Sequence, residues 1–482
     1  MTTGYTDQLA LVIDGEWIGA GDRATHTVVD PATGRTIGAL PLATADDLDR
    51  ALDKAAQGYR LWRAKSADER GAVLAGTARL LRERADLIAT IATIEQGKPL
   101  AEAKGEVGYA AALVDFYAAE ARRNYGRVLP RAPGARSVVV REPVGPSVAF
   151  CPWNFPILNP ARKLAPALAA GCSMIVKPPE EAPGSALEVV RCFLDAGLPP
   201  EVVSVVFGVP DMVSRHLIAS SVIRKISFTG SVPVGKHLMK LAADGMKRTT
   251  MELGGHSPVL VFDDCDFDKT VAMLSAFKFR NAGQVCVSPT RFYVQEGIYE
   301  RFVAAFAARA DAVTVGSGLA TTTTMGPLAN PRRPDAIEAL VADARAAGAR
   351  VAAGGERGDR TRGGDGFFFQ PTVLADVPIE ARAMNEEPFG PLALIRPFAK
   401  LDEAVEQANR LPFGLAAYCF TENGRRANLL GDAIEAGMVG INGMGLSHVD
   451  APFGGVKDSG HGSEDGPEGM HAFMVTKAIH QS

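Results

Sequence analysis

The stretch "ISFTGSVPVGKHLMKLA", residues 226–242, decides the fold. Ile226–Phe228 reads as a short apolar strand, Gly230 permits a tight turn, and from Ser231 or Pro233 onward apolar residues recur at helical spacing. Strand, glycine turn and helix in this order form the repeating unit of a parallel sheet. Free N–H groups at such a helix start can hold a pyrophosphate, and Gly235 allows a close approach. Alone, the same residues read equally well as a packing turn.

The pattern extends in both directions. "PSVAFC", "SMIVK", "VVSVVFG" and "RTTMELGG" are further short strands, and helices fit at about 158–169, 183–196, 210–219 and 231–243. Strand–helix alternation predicts an α/β fold with a parallel sheet covered on both faces. A second alternating region runs from "SPVLVF" to about 450, with helices near 267–279, 297–312 and 334–347. Residues 8–35 read as short strands turning at Asp14-Gly15 and near Pro31, and 43–124 reads as helical. Within it, the run "ADERGAVLAGTARLLRERADLIATIATIEQG" ends at Gly97 and Pro99. "RVLPRAPGARSVVVREPVG" is extended. The tail "MHAFMVTKAIHQS" ends strand-like and needs a pairing partner, possible in a second subunit.

Composition narrows the function. The 482 residues, 47% hydrophobic and 22% charged, are enough for two or three folded domains. A formal net charge of -4 gives no electrostatic reason to expect nucleic acid or an anionic membrane. The longest apolar run, "APALAAGCSMIV" at 165–176, is too short to span a bilayer, and the N-terminal stretch lacks the order of a secretory signal. Six cysteines without a CxxC pair indicate reduced, cytoplasmic usage. Eight histidines without HExxH or a clustered ligand set imply no metal. Residues 19–24, "GAGDRA", match a dinucleotide signature literally, but no helix follows, so the match is rejected.

The chemistry concentrates in a few places. In "IVKPPEEAP" a strand delivers Lys177 to its C-terminal end, and Glu180 follows. A carboxylate there can accept both hydroxyls of an adenosine ribose and repel a 2′-phosphate, favouring NAD over NADP. Cys286, in "RNAGQVCVSP", follows a turn of small residues; taken alone, it reads more readily as an inert core thiol. Its company changes that reading. Glu252 ends the strand "TTMELGG" ahead of two glycines, and Asn154 in "CPWNFP" follows the first strand of the parallel region. A thiolate can attack an aldehyde carbon. The Asn154 amide and the Cys286 N–H can meet the oxyanion, and Glu252 can activate water against the resulting thioester. Glu387 in "NEEPFGP" is a candidate for the nicotinamide ribose, with Phe389 packing beside it. Cys172, Cys192, Cys265 and Cys419 read as core thiols, and Cys151 as a packing residue.

"PWNFP" (152–156), "VKPPE" (176–180), "FTGSVPVG" (228–235), "MELGG" (251–255), "GQVC" (283–286), "EEPFGP" (386–391) and "PFGGVKDSG" (452–460) together resemble the aldehyde dehydrogenase superfamily, in its order and over nearly the whole chain. The resemblance implies a Rossmann-type NAD domain (1–123 and 143–252), an α/β catalytic domain (253–468) and a small β oligomerisation element (124–142 and 469–482) that builds homodimers or homotetramers. It implies Cys286 as nucleophile, Glu252 as general base, Asn154 as oxyanion donor, and Lys163 as a lysine near Asn154 that sets the site's electrostatics. It places Lys177, Glu180, Gly230, Ser231, Gly235 and Glu387 on the cofactor, with Phe389 and with Pro152, Trp153 and Leu253 of the quoted motifs. Within the family the chain looks most like succinic or α-ketoglutaric semialdehyde dehydrogenases. There Arg162, Arg280 and a loop serine, matched by Ser447, would grip the substrate carboxylate; paired guanidiniums suit that group. His448 departs from the small polar residue common in such enzymes. Other readings are a broad or aromatic aldehyde oxidiser, a coenzyme A acylating enzyme and a silent scaffold. Glu252 argues against acylation, and the intact Cys286, Glu252 and Asn154 set argues against a scaffold.

Overall fold

The computed structural model describes residue 5, residues 9–358 and residues 365–482. Its centre is an eight-stranded sheet in the order Glu16–Ile18, Leu11–Ile13, Val203–Val205, Met174–Lys177, Ser147–Phe150, Lys225–Gly230, Arg248–Leu253, Gly460–His461. The middle five strands are parallel, and the flanking ones pair antiparallel. The chain starts this core at Ser147–Phe150, winds outward one way, then crosses over to Lys225–Gly230 and winds the other way. That reversal opens a crevice at the carboxyl ends of the two strands, where open α/β sheets bind ligands.

The helices that cover this sheet are specified locally. Ala45–Arg63 starts with a capping box between Thr44 and Asp47, and Ala67–Glu83 with one between Ser66 and Glu69. The long helical run expected up to Gly97 is divided: Ala67–Glu83 stops at Arg84 and Ala85–Gln96 follows. Trp62 is buried and donates its indole N–H to the Leu168 carbonyl at 2.9 Å, tying the first helix to Leu158–Ala170.

A second sheet of seven strands, Arg350–Ala353, Thr372–Ala375, Leu392–Phe398, Pro289–Gln295, Ser257–Val261, Ala416–Phe420 and Met438–Ile441, has its own apolar core, including the stacked Phe302 and Phe306. The extended stretch after residue 124 forms Arg127–Leu129 and Arg136–Pro143, and Met474–Gln481 pairs along the latter's whole length. One expected boundary shifts. The strand Gly460–His461 pairs with Met251 and Glu252 of the first sheet, and the helix Gly466–His471 packs on Leu158–Ala170, so this part of 253–468 lies with the first sheet. Cys265 lies in a loop and is only partly buried, unlike the core position expected for it.

Candidate active site

Cys286 enters the site from a turn that only strong local bonding can hold. Asn281, Ala282 and Gly283 all have left-handed backbones, with φ of 49°, 51° and 69°. For Ala282 this costs about 1 kcal/mol. Gly283 is required, since a Cβ there would stand 2.1 Å from the Gly390 carbonyl oxygen. The Asn281 side chain compensates: Nδ2 donates to the Asn154 carbonyl at 2.9 Å, and Oδ1 accepts from Gln96 Nε2 at 2.9 Å. Gln284 Nε2 closes the turn onto the Asn281 carbonyl, and its Oε1 accepts from the Ala329 N–H.

Asn154 lies in the loop between Ser147–Phe150 and Leu158–Ala170. Its Nδ2 donates to the Gln284 carbonyl at 3.1 Å, and its Oδ1 accepts from Asn159 Nδ2 at 3.4 Å. This fixes the amide with its second N–H left to point elsewhere. Asn154, Glu252 and Cys286 line one cavity of about 440 Å³, so the structure brings the three sequence candidates together. Burial pushes the Cys286 thiol up to about 12, and the Arg162 charge works against that rise. Glu252, the penultimate residue of Arg248–Leu253, has both carboxylate oxygens buried and without a protein partner. Burial, and after it the neighbouring Glu464, hold its pKa well above the ordinary carboxylate range.

Lys163 does not bond Asn154. Its ammonium is sealed against Thr229 Oγ1 at 2.6 Å and against the Glu464 carboxylate, and its charge is felt at Glu252. Arg162 is also committed: Nε and Nη2 clamp Asp465 at 2.9 and 2.6 Å, Nη2 reaches Ser447 Oγ at 3.0 Å, and the plane lies over Phe453. The expected free carboxylate grip is therefore half used inside the protein. Arg280 differs. It has no acid partner among the described residues, its Nε is buried without an acceptor, and the guanidinium sits 4.6 Å from the Phe277 ring centroid and 5.8 Å from that of Phe155. It lines the same cavity as Cys286.

The cofactor candidates gather at the crevice and its rim. Lys177 Nζ and Glu180 Oε1 are 2.6 Å apart, and the same Oε1 accepts the Gly208 N–H at 3.2 Å, leaving Oε2 available. Ser231 is the N-cap of Val232–Asp244 without a side-chain cap bond, so its hydroxyl and the first-turn N–H groups are open to an anion. A Cβ on Gly235 would strike Leu253 at 2.5 Å, which sets how closely this helix approaches the strand end; Gly230, where the preceding strand ends, is partly exposed. From the second sheet, Glu387 accepts the Gly255 N–H at 3.0 Å, and burial raises its pKa to about 7. Phe389, held at φ 45°, meets Trp153 edge-on at 5.4 Å; Pro152 precedes that tryptophan in the loop. A Cβ on Gly254 would come 2.3 Å from Glu387 Oε2. A bare-backbone cradle, an open helix N-terminus and carboxylates at both ends fit an extended dinucleotide.

Sequence reasoning did not find Glu464, Asp465, Lys98, Glu106 or Tyr109, whose hydroxyl donates to Asp465 at 3.2 Å and accepts from Ser447 at 3.0 Å. The acid pair follows directly on "PFGGVKDSGHGS" and was visible as a charge doublet; the others carry no local signal. Among the described residues no cluster of His, Cys, Asp and Glu could hold a metal ion, and no helix is long and apolar enough to cross a membrane.

Comparison with known proteins agrees with this geometry. Residues 17–479 match the aldehyde dehydrogenase family. The chain is 50% identical over 471 residues to a 4-(hydroxymethyl)benzenesulfonate dehydrogenase of Comamonas testosteroni, covering 98% of this chain and 97% of that one. It is 42% identical to the NADP(+) succinate-semialdehyde dehydrogenase of Escherichia coli K12, covering 97% and 96%. The crystal structure of a succinate-semialdehyde dehydrogenase from Burkholderia pseudomallei superposes with a TM-score of 0.95 at 43% identity, covering 98% of each chain. By fold, site and sequence, this chain belongs to the aldehyde dehydrogenase family and is an NAD(P)-dependent oxidoreductase acting on an aldehyde.

Proposed function

We propose that this protein oxidises an aldehyde bearing a remote anionic group, with a dicarboxylic acid semialdehyde such as succinate semialdehyde as the leading substrate. The carrying observation is Arg280, a guanidinium without an acid partner in the wall of the cavity that holds Cys286. A partly buried cation that makes no ion pair, its charge felt only at the nearby Glu102, leaves donors for an anion from elsewhere. The remaining Arg162 N–H adds a donor on the same cavity, whereas Ser447, expected beside it, accepts from Arg162 and spends its own proton on the Tyr109 hydroxyl at 3.0 Å.

In this reading the Cys286 thiol gives up its proton to solvent, its sulfur bonds the aldehyde carbon, and the carbonyl oxygen becomes an oxyanion received by the Asn154 amide and the Cys286 N–H. The bound nicotinamide supplies the acceptor for the hydride that leaves the same carbon. Glu252 then takes a proton from water, which adds to the thioester; the C–S bond breaks, and the acid and the thiol are released. Glu387 and Phe389 seat the nicotinamide end, while Lys177, Glu180 and Ser231 seat the adenosine and pyrophosphate. Glu180 favours NAD. A lower Michaelis constant for NADP would contradict that choice.

A second reading is supported by the cavity walls. Phe155, Phe277 and Phe453 line a volume of about 440 Å³, ample for a substrate that carries a benzene ring. The similarity to a benzenesulfonate dehydrogenase agrees with an aryl aldehyde whose anion is carboxylate or sulfonate. Steady-state comparison of succinate, glutarate and α-ketoglutarate semialdehydes with 4-carboxybenzaldehyde, 4-sulfobenzaldehyde, benzaldehyde and hexanal tests both readings. Equal efficiency on hexanal and the acidic aldehydes rejects an anion site.

We also infer a cytoplasmic homodimer or homotetramer. The described cysteines are all free thiols, and Met474–Gln481 is an edge strand of its sheet with mostly exposed side chains. Light scattering that gives a monomer at micromolar concentration would refute the assembly.

A further inference from the structure

We propose that Lys98 and Glu106, in the helical wall of the same cavity, are positioning residues that fix the oxyanion donor Asn154. The inference rests on the assignment of Asn154 to the oxyanion. The Asn154 carbonyl accepts two bonds, from Lys98 Nζ at 2.8 Å and from Asn281 Nδ2 at 2.9 Å. Lys98 is 2% exposed, its ammonium paired with Glu106 and 4.3 Å from the Phe155 ring centroid. Glu106 uses its other oxygen, Oε1, to accept the N–H groups of Ile157 and Leu158, both at 2.9 Å. Those are the N-terminal donors of Leu158–Ala170, a helix whose own N-cap residue makes no side-chain cap bond. One buried ion pair thus grips the Asn154 loop at both ends, through its carbonyl and through the helix that follows.

The same segment also holds the nucleophile turn. Gln96 donates to Asn281 Oδ1 and accepts the Lys98 N–H, and Glu102 accepts the Asn281 N–H at 2.8 Å. The Asn281 side chain is shared between the two loops, so displacing Lys98 shifts the amide relative to the sulfur. A misplacement of about an ångström at an oxyanion donor costs on the order of 10- to 100-fold in rate. Neither Lys98 nor Glu106 is bonded to Cys286, so the effect travels through Asn154.

The test uses Lys98→Met and Glu106→Gln in the full-length enzyme, with rates expressed per alkylatable Cys286 so that unfolded material does not count. Glu106→Gln keeps an oxygen for the helix N-terminus and removes the charge that holds Lys98. Hydrolysis of p-nitrophenyl acetate passes through an oxyanion, whereas alkylation by iodoacetamide does not. Both variants are expected to lose about 10- to 100-fold in ester hydrolysis and in kcat for aldehyde, with the aldehyde KM and the alkylation rate within about 3-fold. Ester hydrolysis within 2-fold of the parent in both variants overturns the proposal, as does a parallel fall in alkylation. Asn154→Ala is the reference. If it hydrolyses the ester at the parent's rate, the oxyanion assignment itself fails and the proposal with it.

Discussion

Replacing Arg280 with leucine separates an anion-binding role from a structural one, because the protein makes so little use of this side chain. Its guanidinium has no acid partner among the described residues, its Nε is unsatisfied, and its contacts are the faces of Phe277 and Phe155 at 4.6 and 5.8 Å. Cation–π contacts of that kind contribute about 0.5–1 kcal/mol, partly replaced by leucine packing. Loss of stability should therefore stay near or below about 1 kcal/mol. A charge-assisted hydrogen bond to a bound carboxylate contributes roughly 1.5–3 kcal/mol, which is about 10- to 150-fold in kcat/KM. The assay follows NADH absorbance with succinate semialdehyde and with pentanal, alongside a denaturant melt. The acidic substrate should lose that factor mainly through KM, and pentanal should change less than about 3-fold. An equal loss on both aldehydes, or a fall in stability of about 3 kcal/mol or more, refutes the reasoning and makes Arg280 a structural cation. Arg162→Leu supplies the contrast. It strips a fully buried Asp465 of both guanidinium bonds, an orphaning that costs about 3–5 kcal/mol.

Glu252→Gln should give a burst of about one NADH per active site and then stall, since deacylation loses its base; steady turnover at more than about a tenth of the parent rate counts against the assignment. The raised pKa of Glu252 puts the acid limb of kcat above the ordinary carboxylate range, and activity should climb as pH rises through it; a profile flat from pH 5 upward contradicts this. The same group predicts a stability trend. The native state keeps a proton that the unfolded chain has lost, so stability falls as pH rises from the unfolded carboxylate pKa through the higher folded one, and Glu252→Gln should remove that part of the slope in urea melts. Gly254→Ala should raise the Michaelis constant for NAD by about tenfold or more by pushing on Glu387, with Cys286 alkylation unchanged.

The strand-and-helix frame was legible because local signals carry it. Gly230 and Gly235 punctuate the turn from Lys225–Gly230 into Val232–Asp244, and the helix Pro210–Ala219 runs over the residues its periodicity predicts. The break at Arg84 was not, because no glycine or proline marks it and the apolar spacing continues across it. Cys286, Glu252 and Asn154 could be named from their motifs, but their meeting could not, since it depends on the Asn281 side chain spanning two loops distant in sequence. The commitment of Arg162 was invisible for a similar reason: its partner Asp465 lies some three hundred positions downstream. Sequence could say that two guanidiniums were available. It could not say that one was already taken.

That distinction also explains the electrostatics around Glu252. Five ionisable groups share the buried region: Arg162, Lys163, Glu252, Glu464 and Asp465. The two cations are each bound to a carboxylate other than Glu252, Arg162 to Asp465 and Lys163 to Glu464. The surplus acid is therefore Glu252, which lines the cavity and has neither carboxylate oxygen bonded. Had Lys163 paired with Glu252 instead, the carboxylate would be ionised at all working pH values and would be a weak base. Left alone and desolvated, it binds a proton firmly, which is what a group that must pull one from water requires. Removing Glu464 with glutamine should therefore free Lys163 to stabilise the Glu252 carboxylate, shift the acid limb of the pH profile downward and slow deacylation; an upward shift would show that Glu464 does not govern the base.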